Sequence, residues 1–84
     1  MPIKLTVQDK DLEFNVEVAH YNSYINEMQP NNKVTPAHNF LMRTVADSCK
    51  NSLKELLKLP GASIQIAAAI LEEYTPDLEI RVGK

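Results

Sequence analysis

The chain has 84 residues, 44% of them apolar and 24% charged, with a formal charge of −2 and no tryptophan. These values describe a folded domain rather than a disordered one, and they exclude the basic excess of a general nucleic-acid binder. A domain of this size withdraws only about 60–65% of its unfolded surface from water, so one small aliphatic core is expected over residues 1–84.

IKLTV sets Ile3, Leu5 and Val7 on one side and Lys4 and Thr6 on the other, and LEFNVEV continues the alternation through Leu12, Phe14, Val16 and Val18. A period of two marks half-buried strands, and the polar QDKD between them suits a hairpin turn. The last segment, LEIRV, alternates again, with Leu78, Ile80 and Val82 inward against Glu79 and Arg81. A lone hairpin is marginal in water, so this segment is expected to complete a three-stranded antiparallel sheet with one wet face.

Between the hairpin and that last strand the period becomes helical. Tyr21, Tyr24, Ile25 and Met28 form one stripe of a short helix, ended by Gln29 and Pro30. In the polar connection that follows, Pro30 and Pro36 stiffen the chain, and Asn31 and Asn32 tolerate left-handed geometry. Thr35 then reads as an N-cap with Pro36 at the first helical position, and Ala37, Phe40, Leu41 and Val45 share a face. The pattern restarts near Asp47 with Cys49, Leu53, Leu56 and Leu57, which fits one bent helix or two. LPGA breaks the chain, and SIQIAAAILEEY follows, apolar almost all round, as expected of a helix buried on more than one side or used in an oligomer contact. The predicted class is α+β: an N-terminal hairpin, three to four short helices and a C-terminal strand.

Chemistry-bearing groups are sparse. Cys49 is the sole thiol and His20 and His38 are the histidines. A nucleophile can recruit a histidine from afar, yet Cys49 falls on an apolar stripe, where a small buried hydrophobe is the simpler reading. Metal-ligand spacings and a glycine-rich phosphate loop are missing from the sequence, so no enzyme activity, metal or cofactor is expected. The carboxylates Glu72, Glu73, Asp77 and Glu79 read as a solvated acidic end. One cysteine permits no internal disulfide. MPIKLTVQDK has too little apolar character for a signal peptide, and the run Ile66–Leu71 is far short of the ~20 residues that span a bilayer. These features predict a cytoplasmic protein.

Two surfaces stand out as candidate contacts. Lys50, Lys54 and Lys58, at i, i+4 and i+8, would align along a helix edge able to meet an acidic partner or phosphates; a solvated face is the plainer alternative. A small sheet and short helices leave little volume to hide every apolar group, so Met28, Met42 and the Ile64, Ile66 and Ile70 helix are candidates for a partly exposed surface that binds other helices.

The string YNSYINEMQPNNKVTPAHNFLMRTV, followed by LKELLKLPGA, LEEYTPDLEI and VGK, resembles the small tail assembly chaperones of long-tailed bacteriophages. PNNKVTPAHNFL is its most specific part, and the resemblance covers nearly the whole chain. It implies a non-enzymatic role in the cytoplasm of the infected bacterium, where such chaperones keep the long helical tape measure protein soluble until tube subunits polymerise around it. In several relatives a ribosomal frameshift makes an extended form that recruits tail tube protein. The hairpin and C-terminal strand depart from the mainly helical look of better-known members and leave the binding face open. A structural or adaptor subunit of the particle is the competing reading, ahead of a small nucleic-acid-binding regulator acting through the three lysines. A homo-oligomer is compatible with each.

Overall fold

The computed structural model describes residues 2–83. Strands β1 (Ile3–Val7) and β2 (Lys10–Phe14) form an antiparallel hairpin, followed by helices α1 (Val18–Glu27), α2 (Val34–Thr44), α3 (Lys50–Leu56) and α4 (Ala62–Tyr74). The hairpin turn is the Gln8–Asp9 pair, both at positive φ (49° and 66°), with Val7 opposite Lys10. Left-handed geometry at both central residues is what lets a two-residue turn follow the strand twist. Asn31 and Asn32, expected to supply such geometry, do not adopt it; Gln29 and Asn32 instead exchange backbone hydrogen bonds at 3.2 and 3.1 Å across Pro30 and Asn31.

The sheet is amphipathic as its alternation predicts. Leu12 and Phe14 are buried and Ile3, Leu5 and Val7 half-buried, while Lys4, Thr6 and Asp11 face water. The strand does not extend to Val18, which begins α1 and stands exposed. There the Glu17 N–H donates to His20 Nδ1 at 3.0 Å, so His20 closes the helix entry by satisfying a backbone donor that the helix itself leaves unpaired.

Helices α2 and α3 are separate. Val45 and Ala46 are extended, with ψ 140° and 143°, and a 3-10 turn, Asp47–Cys49, leads into α3. The cause is β2. Asn15 N–H donates to the Thr44 carbonyl at 2.7 Å, Ala46 N–H donates to the Glu13 carbonyl at 2.8 Å, and Val45 lies antiparallel to Phe14. The chain therefore leaves the helix to pair with the outer edge of β2. The buried Thr44 hydroxyl donates to the Phe40 carbonyl at 2.8 Å, so this buried donor is satisfied within its own helix.

This pairing corrects the expected third strand. Among the described residues the sheet has two strands, and the C-terminal segment forms none. The edge of β2 is occupied by Thr44–Ala46, and Leu78, Ile80 and Val82 are 71%, 80% and 92% exposed. Alternation encodes the ability to be a strand, not the presence of a neighbour.

Beneath the hairpin, α4 packs against β1 and α2, α3 against β2, and α1 against α2. The core joins Leu12, Phe14, Phe40, Leu41, Leu53 and Ile70. Helix α2 begins at Val34, with Lys33 rather than the expected Thr35 at its cap and Pro36 buried inside its first turn, where a missing N–H costs no helical bond. Gly61, at φ 76°, lets the chain reverse between α3 and α4; a side chain there would cost about 1–2 kcal/mol in left-handed backbone.

Tyr24 stacks on Phe40 with ring centroids 4.9 Å apart and joins α1 to the core. Burial raises its phenol pKa above the ordinary 10.0. The folded state thus favours the neutral phenol: its contribution is complete below the unfolded value and is lost as pH rises through the raised one. Tyr24→Phe is expected to flatten the fall in melting temperature above about pH 10, measured against wild type by thermal unfolding. An identical fall in both proteins would assign it to other groups.

Candidate partner-binding surface

The groups able to carry chemistry are dispersed. Cys49 is half-buried, its thiol 3.8 Å from the Ser48 hydroxyl. It lines an open depression of about 430 Å³ with Lys4, Thr6, Asp11 and Glu13, where no histidine is present. His20 serves the α1 entry, and His38 is exposed on α2. Among the described residues no three His, Cys, Asp or Glu side chains are grouped as a metal site.

The lysine stripe is not continuous. Helix α3 has 7 residues and ends before Lys58, so the i+8 alignment is lost. Lys50 Nζ lies 3.7 Å from Asp47, and Lys58 Nζ lies 3.5 Å from Glu55. The three cations therefore do not form one unopposed basic edge. Exposed pairs of this kind add little to stability because water and salt screen them, and the same holds for the Arg43–Glu27 pair between α2 and α1, at 3.0 Å.

The apolar candidates divide by side of helix. Ile66 and Ile70 are 3% and 0% exposed and belong to the core, whereas Ile64, two residues before Ile66, is 36% exposed. Met28 and Met42 are half-buried at the core margin. Burial removes Ile70 from any surface that the folded chain presents and leaves Ile66 only a 3% margin of exposure. Val18 and Ile25, placed by their spacing on the apolar sides of a strand and a helix, are instead exposed, both on α1, as are Val34 at the start of α2 and Leu59 before Gly61. Val18 and Ile25 are seven residues apart and thus share a side of α1, a spacing visible in the sequence once Val18 is read as helical. Leu59 sits in the LPGA break, where its exposure follows from the turn.

Leu59 also helps to form a hollow of about 170 Å³ between the hairpin turn and the α3–α4 turn, with Val7, Leu56, Pro60, Ala62 and Ile66 in its wall and Gln8 and Gln65 beside them. A largely aliphatic hollow of this size, edged by two glutamines, has room for an aliphatic side chain, the kind of anchor an amphipathic helix offers.

A family model described as phage tail assembly chaperone matches residues 3–84. The chain belongs to that family. Its sequence is 34% identical over 80 residues to an uncharacterised 11.3 kDa protein from the 3′ region of lys in Haemophilus phage HP1 (strain HP1c1), an overlap covering 95% of this chain and 78% of the relative. No solved structure matches it. A tail assembly chaperone acts through surfaces presented to tail proteins, so the exposed apolar residues and the Leu59 hollow become its candidate contacts. Among the described residues, no helix of the chaperone is long and apolar enough to cross a membrane.

Proposed function

We propose that this chaperone binds the tape measure protein in the cytoplasm of the infected bacterium and keeps it soluble while the tail assembles, without catalysing a reaction. Membership of the tail assembly chaperone family supports this reading most directly. A tape measure protein is long, and its helices must hide their apolar stripes until the tube encloses them. The contact is assigned to Leu59 and Ile64, with Met28 and Met42 adding adaptable apolar area. Lys50, Lys54 and Lys58 would contribute charge at the rim, where they affect association rate more than affinity. Tail tube protein is a second partner on the same reading.

Coexpression with the phage's own tape measure protein tests it. The expected result is soluble tape measure protein that copurifies with this chain. Tape measure protein that remains insoluble, with this chain folded and uncomplexed, would reject the proposal. Recovery of the chain from purified mature particles would instead favour a structural or adaptor subunit.

A further inference from the structure

The structure leaves a strand without an edge and an edge without a strand. In the hairpin register, Val7 pairs with Lys10, Leu5 with Leu12 and Ile3 with Phe14. A two-residue turn makes its flanking pair hydrogen-bonded, and such pairs alternate along an antiparallel ladder. The backbone groups of Lys4 and Thr6 therefore point away from β2. The same alternation sends the Glu13 carbonyl outward on the other side, where it accepts from Ala46. Among the described residues, no backbone group bonds to the outer edge of β1.

The C-terminal segment has the complementary character. Arg81 Nε donates to Glu79 Oε1 at 3.0 Å, a pairing of residues two apart that puts both on one side of the chain. Leu78, Ile80 and Val82 alternate with them and are all exposed. A register that sets Glu79 beside Lys4 brings Leu78 and Ile80 to the face shared by Ile3 and Leu5, so polar matches polar and apolar matches apolar.

The segment is aimed away from its own edge. Helix α4 begins beside Val7, as Ala62 and Val7 line one hollow, and ends beside Ile3, as Tyr74 and Ile3 line another. The helix thus runs opposite to β1, and the chain emerges at the start of that strand. Thr75 is extended, with φ −83° and ψ 128°, and Pro76 follows. Pairing within the chain would need a reversal just where this backbone carries the segment onward. The consequence is an elongated molecule, 52 × 31 × 20 Å, with a radius of gyration of 13.9 Å against about 12 Å for a compact chain of this length.

We propose that Leu78–Val82 pairs with the exposed edge of β1 in a second copy of this chain, so that self-association supplies the third strand. Mutual exchange closes the contact between two copies; one-way donation extends it into a series. This inference is independent of which tail protein the chaperone holds.

Sedimentation of the full chain across concentration tests it, with two variants. Lys4→Pro removes an outward N–H and no hairpin bond, a change that edge strands accept. Ile80→Asp puts a charge at a position that is 80% exposed in the single chain. The wild type is expected to reach a mass of at least two 9.5 kDa chains, and each variant to associate at least tenfold more weakly. Mixing the two variants is expected to restore association, because one keeps the edge and the other the strand. A wild type that stays a single chain up to about 1 mM overturns the proposal. So does association that survives both substitutions, or that survives Lys4→Pro in a folded protein while Ile80→Asp abolishes it. Slow amide exchange at Lys4 and Thr6 in the single-chain species would mean pairing within the chain and would equally overturn it.

Discussion

Phe14→Ala is expected to lower the unfolding free energy by about 3–5 kcal/mol, the usual cost of emptying a buried aromatic site. Phe14 has 0% exposure and lies where the hairpin, the Val45 bridge and the helical layer meet. The backbone on both sides of it is already committed, since Asn15 and Glu13 bond to Thr44 and Ala46. The site therefore cannot collapse freely around a smaller side chain, and the cavity term adds to the lost transfer energy. A chain of 84 residues has a total stability of about 4–13 kcal/mol, so this loss is a large share of it. Urea unfolding should show a lower midpoint at unchanged slope, and the melting temperature should fall by about 15–30 °C. A loss below about 1 kcal/mol would place Phe14 outside the cooperative core.

The second large effect separates core from contact surface on a single helix. Ile70→Asp is expected to abolish folding at 37 °C, because a carboxylate at a position with 0% exposure inside the apolar core must be buried charged or protonated, at a cost of several kcal/mol. Ile64→Asp, at 36% exposure, is expected to melt within a few degrees of wild type. Combined with Leu59→Asp, it is expected to weaken capture of the tape measure protein at least tenfold, the effect of losing about 1.4 kcal/mol or more at an apolar anchor. Circular dichroism measures the first property and copurification the second. A folded Ile64→Asp/Leu59→Asp protein with undiminished capture would move the contact elsewhere, Val18 and Ile25 of α1 being the next apolar side to test.

Membership of the tail assembly chaperone family is legible in the amino-acid sequence, through the PNNKVTPAHNFL string and its flanks. The contact surface is not. Ile64, Ile66 and Ile70 are equally apolar in the sequence, and α4 reads as apolar all round because it packs against both β1 and α2. Only those neighbours show which side is left over. The lysine spacing misleads for a related reason: i, i+4 and i+8 align residues only while the helix lasts, and α3 stops at Leu56.

Local periodicity by itself determined the hairpin, the helical stripes and the breaks at Pro30 and Gly61, because those features depend on side-chain alternation and backbone freedom within a few residues. The tertiary structure decided which strand edge each segment meets. Thr44–Ala46, with no strand signature, became the neighbour of β2 because a helix end delivers it there. Leu78–Val82, with a clear signature, was carried past β1 by the direction of α4. Strand pairing is a contact between distant parts of the chain, and its partner is set by where the helices end rather than by the alternation of the strand itself.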